Sequence, residues 1–191
     1  MKFTLAILTT LVAAAAARQS KPFHLKAVSD NSTVDGTYFF ACHEGAAIEG
    51  LCIGSKKLAQ ADNFRLNNTR SQPNVGSLAW LLKGGNFKVS ETMTLYTDPS
   101  TNVALPLFEP GYDSAYVGFD SDDKMYIRVY LDDTKNPPNS VNGKKLYRWL
   151  TCTTYYTGYT YQTLAWQLGE AEAQNPTCEP VTVKRVFVND D

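Results

Sequence analysis

The chain has 191 residues and a formal net charge of −1, from 18 Lys and Arg against 19 Asp and Glu, and 12% of its residues are aromatic. No basic cluster exceeds the pairs Lys56-Lys57, Lys144-Lys145 and Lys184-Arg185, which excludes the electrostatic footprint of a nucleic-acid binder. The length suits one ordinary domain able to bury a sizeable core.

Met1-Lys2 gives a positive start, Phe3 to Val12 is apolar apart from threonines, and Ala13 to Ala17 offers a small-residue cleavage site. Residues 1–17 therefore read as a secretion signal, leaving a single secreted domain over residues 18–191. No other segment approaches the ~20 apolar residues of a spanning helix, so no membrane association is expected of the mature chain. In the secretory route two sequons become usable, at Asn31 (Asn31-Ser32-Thr33) and Asn67 (Asn67-Asn68-Thr69), both in polar, turn-like stretches.

The same route oxidises cysteines. Cys42, Cys52, Cys152 and Cys178 allow three connectivities. Local pairing, Cys42 with Cys52 and Cys152 with Cys178, is preferred because each segment reads as a turn-containing unit that brings its ends together. The cysteine spacing does not suit zinc, and neither a metal nor another cofactor is expected.

Along the chain the hydrophobic period is two, the mark of strands with one buried face. Phe23-His24-Leu25 begins the series, with His24 expected to face outward. Gly84-Gly85-Asn86 separates the run Leu78–Leu82 from Phe87–Val89, and Asp98–Asn102 joins Met93–Tyr96 to Val103–Leu105. Asp120–Asp123 then turns Ala115–Phe119 into Met125–Leu131, where Met125, Ile127, Val129 and Leu131 are expected in the core and Tyr126, Arg128 and Tyr130 on the other face. Asp132–Lys145 reads as the longest loop. Tyr159–Leu168 presents Leu164, Trp166 and Leu168 inward, Gly169–Pro176 suggests a short helical turn, and Val181–Val188 is a last strand. The expected fold is all-β, an antiparallel β-sandwich or barrel of jelly-roll type with two disulfides.

Residues suited to chemistry are few. His24 and His43 are the only histidines, and there is neither a G-x-S-x-G elbow nor a glycine-rich phosphate loop. Asp120, Asp122 and Asp123 do not make up a calcium loop, lacking its glycine and distal glutamate, and read as a polar hairpin. Glu44 and Glu49, within the Cys42–Cys52 segment, are the candidate carboxyl pair of a glycosidase; polar residues serving solubility in a disulfide-closed turn are the preferred reading. The aromatic group Tyr147, Trp149, Tyr155, Tyr156, Tyr159, Tyr161 and Trp166 is expected to serve packing, with Tyr155, Tyr156 and Tyr159 exposed and able to stack on sugar faces.

Phe39-Phe40-Ala41-Cys42-His43-Glu44-Gly45-Ala46-Ala47 and Thr160-Tyr161-Gln162-Thr163-Leu164-Ala165-Trp166 resemble segments of an uncharacterised secreted protein family of filamentous ascomycete fungi. More distantly, the order of elements is similar to the phialide cell-wall protein family, with strands near Phe23-His24-Leu25 and Leu95-Tyr96-Thr97 and the segment Leu150-Thr151-Cys152 answered by a later cysteine. The Cys42–Cys52 segment departs from that second pattern. The resemblance implies an extracellular or wall-associated fungal β protein and supplies no catalytic residues. A non-enzymatic secreted glycoprotein, wall-associated or effector-like, is therefore the expected function, with cell-wall polysaccharide or a host protein as partner. A carbohydrate-binding module using Tyr155, Tyr156 and Tyr159, and a hydrolase using Glu44 and Glu49, are the alternatives.

Overall fold

The computed structural model describes residues 17–111 and 113–188; the expected secretion signal over residues 1–17 lies, apart from Ala17, outside the described residues. In chain order the strands are β1 (Ala17–Gln19), β2 (Phe23–Val28), β3 (Phe39–Gly45), β4 (Ile48–Ile53), β5 (Arg65–Thr69), β6 (Gln72–Lys83), β7 (Lys88–Tyr96) and β8 (Val103–Glu109). There follow β9 (Tyr116–Phe119), β10 (Met125–Asp132), β11 (Asn139–Leu146), β12 (Trp149–Tyr156), β13 (Tyr159–Gln167), β14 (Glu179–Pro180) and β15 (Thr182–Phe187). A single 3-10 turn, Leu58–Gln60, is the helical element among the described residues.

Thirteen of these strands form one curled antiparallel sheet, a half-barrel, with the path β11-β10-β9-β6-β7-β8-β4-β13-β12-β14. β2 and β15 pair with each other as a separate ribbon. Bridges Phe23↔Phe64 and Lys26↔Tyr38 tie the ribbon to the sheet, and its Phe23, Leu25 and Val183 are buried with Phe39, Leu51, Phe64, Phe108 and Trp149 of the sheet. Each large side chain so buried contributes roughly 2–3 kcal/mol. Trp149 and Trp166, directly paired across β12 and β13, pack edge to face at 4.7 Å, and the Trp149 indole N–H donates to the Met125 carbonyl. A smaller cluster of Val103, Leu150, Cys152 and Ala165 forms on the other face of the sheet.

Period-two alternation and turn chemistry thus produce the expected antiparallel all-β fold. The disulfides are Cys42–Cys52 and Cys152–Cys178, the local pairing. The Cys42–Cys52 segment, expected as a turn-containing unit, is a two-stranded hairpin turning at Ala46-Ala47. Several other expectations are corrected. Much of Asp132–Lys145 is strand β11, paired with β10; its polar sequence fits an edge strand that needs no buried face. Tyr126 is buried and Leu131 is 63% exposed, the reverse of the simple alternation. Tyr126 lies over Gly118, which has no side chain to exclude it, and a register shift between Val129 and Leu131 carries the end of β10 away from the core. Residues 169–176 form bends without a helical turn. His24 is buried, its Nδ1 hydrogen-bonded to the Asp62 carbonyl at 2.8 Å, because both faces of β2 are covered.

Candidate functional site

The β12–β13 hairpin holds the exposed aromatics anticipated from sequence, and the structure divides them. Tyr156 is paired with Tyr159 across the hairpin, while Tyr155 is paired with Thr160. Because successive side chains alternate, Tyr156 and Tyr159 share one face and Tyr155 occupies the other. Tyr155 is 71% exposed, whereas Tyr156 and Tyr159 are half-buried. Tyr159 stacks on Tyr161 at 5.9 Å and takes the exposed His43 ring edge to face at 5.3 Å. Tyr156 instead meets Tyr96 of β7, with ring centroids 5.0 Å apart.

Tyr96, Tyr155 and Tyr156 line a groove of about 600 Å³, completed by Asp98, Ser100, Thr101, Val103, Leu105, Thr153, Thr154, Thr157 and Asn175. Its walls are fixed from below and from the side. Thr154 and Thr163 join their hydroxyls at 2.8 Å beneath it. The side wall is held to β12 by the Cys152–Cys178 disulfide and by the Asn175 amide donating to the Thr153 carbonyl at 2.9 Å. Asn102 binds the same segment, donating to the Glu172 carbonyl and accepting from the Gln174 N–H, each at 2.8 Å. At the rim, the Ser100 hydroxyl and N–H hold the Asp98 carboxyl below its usual pKa. The groove thus offers phenol rings, hydroxyls, an amide and one carboxylate, and its lining contains neither Lys nor Arg.

Beside the groove lies a set of carboxyls. Glu44 is buried, and a Cβ on Gly50 would stand 2.5 Å from its Oε1, so only glycine leaves room for this carboxyl. Glu44 Oε2 has no hydrogen-bond partner, and burial pushes its pKa up to about 7. Glu109 on β8 accepts from the Thr94 hydroxyl at 3.0 Å. The Tyr156 phenol is raised in pKa by burial and then by the nearby Glu109, Tyr96 and Glu44, which places all four groups in one neighbourhood.

Glu49 follows a different course. It precedes Gly50, over which Glu44 lies, so the Glu44 and Glu49 side chains occupy opposite faces of β4. The structure therefore does not bring the two candidate glycosidase carboxyls to one groove. Glu49 instead meets Glu91 of β7, which is fully buried. Both Glu91 oxygens are buried without a hydrogen-bond partner, a setting that favours the protonated carboxyl. Burial first, then the neighbouring Glu49 carboxyl and the charge of Glu109, push Glu91 up to about 8.

Asp120 serves its turn, accepting from the Asp122 and Lys124 N–H groups at 2.9 Å and from the Tyr147 hydroxyl. Asp123 pairs with Arg185. Asn31 closes a turn by accepting from the Thr33 N–H at 2.9 Å, and Asn67 lies within β5, between β1 and β6.

Sequence reasoning missed Tyr96, Asp98, Asn175, Glu91 and Glu109. For Glu91 a signal was present: it lies in phase with Met93 and Leu95 of a strand, a carboxyl at a core position. Nothing local marks the others.

The model of a family described as a domain of unknown function, DUF7907, matches residues 20–187. No curated protein and no solved structure matches the chain.

Proposed function

The chain belongs to the DUF7907 family, and we propose that it is a non-enzymatic extracellular glycoprotein, of the fungal wall or released as an effector, whose groove holds an uncharged saccharide. The observation that carries this reading is the Tyr96–Tyr156 pair at 5.0 Å beside the hydroxyls and amide of the groove. Aromatic rings pack on the C–H faces of sugars while hydroxyls, amides and carboxylates take their hydroxyl groups. A groove with one carboxylate and no cation disfavours anionic glycans. The two disulfides suit an extracellular protein, and the fungal resemblance, the leader at residues 1–17 and the Asn31 and Asn67 sequons support the rest of the reading.

Retention of the purified protein on insoluble chitin, β-glucan and cellulose tests the binding. Retention on one of them is expected, and passage through all three unretained overturns it. Fractionation of a producing culture into wall, filtrate and cell interior tests the location; recovery solely from the interior overturns that.

A further inference from the structure

Thr157, at the tip of the β12–β13 hairpin, donates its hydroxyl to the Glu44 backbone carbonyl. The Thr157 hydroxyl also lies 3.7 Å from where a Cβ of Gly45 would stand, so the tip is seated on residues 44 and 45. The neighbouring residue, Tyr156, is part of the groove wall. One short segment therefore sits on the Glu44 backbone, carries the Tyr156 phenol on which the Glu44 carboxyl acts, and shapes the groove.

We propose that this hairpin tip is a pH-sensitive cap on the groove, seated while Glu44 is protonated and loosened when Glu44 ionises. The proposal rests on the saccharide reading only for the identity of the ligand. Glu44 is 2% exposed, and its Oε2 has no partner. A protonated carboxyl tolerates that surrounding, whereas a carboxylate needs donors or water, which it gains only if neighbouring segments shift.

The ionisable groups around Glu44 do not relieve the charge. On its own strand, exposed His43 turns its ring to Tyr159. On β4, Glu49 points to the opposite face; on β7 stand Tyr96 and, on the core side, Glu91. Glu109 of β8 and Tyr156 of β12 complete the set. Burial alone accounts for the raised Glu44 pKa of about 7, so no cation offsets it. The ionisation falls near neutrality, so the groove would hold its ligand in acid and release it above pH ~7.

Amide NMR signals of residues 156–158, followed from pH 5 to 8.5 in wild type, Glu44→Gln and Glu91→Gln, decide the matter. A transition near pH 7 is expected in wild type and in Glu91→Gln and is expected to vanish in Glu44→Gln. The absence of a transition at the tip, or its survival in Glu44→Gln, overturns the cap. Thr157→Val provides a second variant, expected to displace the tip signals already at pH 5; tip signals like those of wild type would count against the seating contact. Retention on chitin, β-glucan and cellulose at the two pH extremes is the parallel measurement. It is expected to fall at least threefold from pH 5 to 8.5 in wild type and to stay level in Glu44→Gln. A tip transition without retention on any polysaccharide sustains the cap and overturns the saccharide reading; retention independent of pH overturns the cap.

Discussion

Tyr96 and Tyr156 belong to strands that are not neighbours in the sheet, yet their rings meet edge to face at 5.0 Å. The contact exists because the β12–β13 hairpin brings Tyr156 to the face that carries Tyr96. Tyr96→Ala and Tyr156→Ala are each expected to weaken retention on the bound polysaccharide about tenfold, or about 1.4 kcal/mol. Tyr159→Ala, outside the groove, is expected to change it less than twofold. Depletion isotherms on the insoluble polysaccharide measure all three.

The buried Glu49–Glu91 pair predicts the pH dependence of stability. Glu91 has a folded pKa raised to about 8 from the ordinary 4.5, so the unfolded chain releases its proton first as pH rises. Its stabilising protonated state is fully kept below about pH 4.5 and is lost as pH climbs towards and through 8. Urea midpoints are expected to decline over that window, and Glu91→Gln to flatten the decline. A midpoint that rises from pH 5 to 8 would contradict the assignment.

Arg185 is fixed from several sides. Its guanidinium lies 2.6 Å from the Asp123 carboxylate and 4.5 Å from the ring centres of both Phe119 and Phe187. The Arg185 side chain is 5% exposed and that of Asp123 is 43% exposed, so losing the acid strands a buried cation. Asp123→Ala is therefore expected to cost about 3 kcal/mol. Arg185→Met, which keeps the apolar contacts and leaves only a partly solvated acid, should cost less. Urea unfolding of the two variants gives the order.

The two sequons stand in unlike places. Asn31 lies in a turn, where its amide donates to Glu179 at 2.6 Å and, once glycosylated, would keep one N–H for the same bond. Asn67 accepts from the Gln19 amide at 2.9 Å in the middle of three paired strands. Protein made through a eukaryotic secretory route is expected to carry one glycan, lost in Asn31→Gln and kept in Asn67→Gln, as read by intact mass.

Both disulfides close short segments, separated by 10 and 26 residues. Each is expected to contribute about 3 kcal/mol by restricting the unfolded chain. Replacing Cys152 and Cys178 together by serine should also free the groove's side wall and weaken polysaccharide retention, whereas the Cys42/Cys52 double replacement should act mainly on thermal stability. Thermal melts and retention assays on the two double variants separate these effects.

Strands, most turns, the local disulfide pairing and the all-β class were legible in the residues themselves. These depend on alternation, turn residues and short loop closure, all of which act over a few residues. The register of β10 and the strand β11 escaped such a reading, because Gly118 makes room for Tyr126 from another strand and a polar edge strand has no buried face to announce it. Tyr155, Tyr156, Tyr159, Glu44 and Glu49 were visible as residues of interest, but their grouping was not. It took the curled sheet to join Tyr156 to Tyr96, to turn Glu49 away from Glu44 towards Glu91, and to lay the hairpin tip over Glu44. Side-chain chemistry is written locally, whereas the environment that gives it a task is set by chain segments that meet only after the sheet has closed.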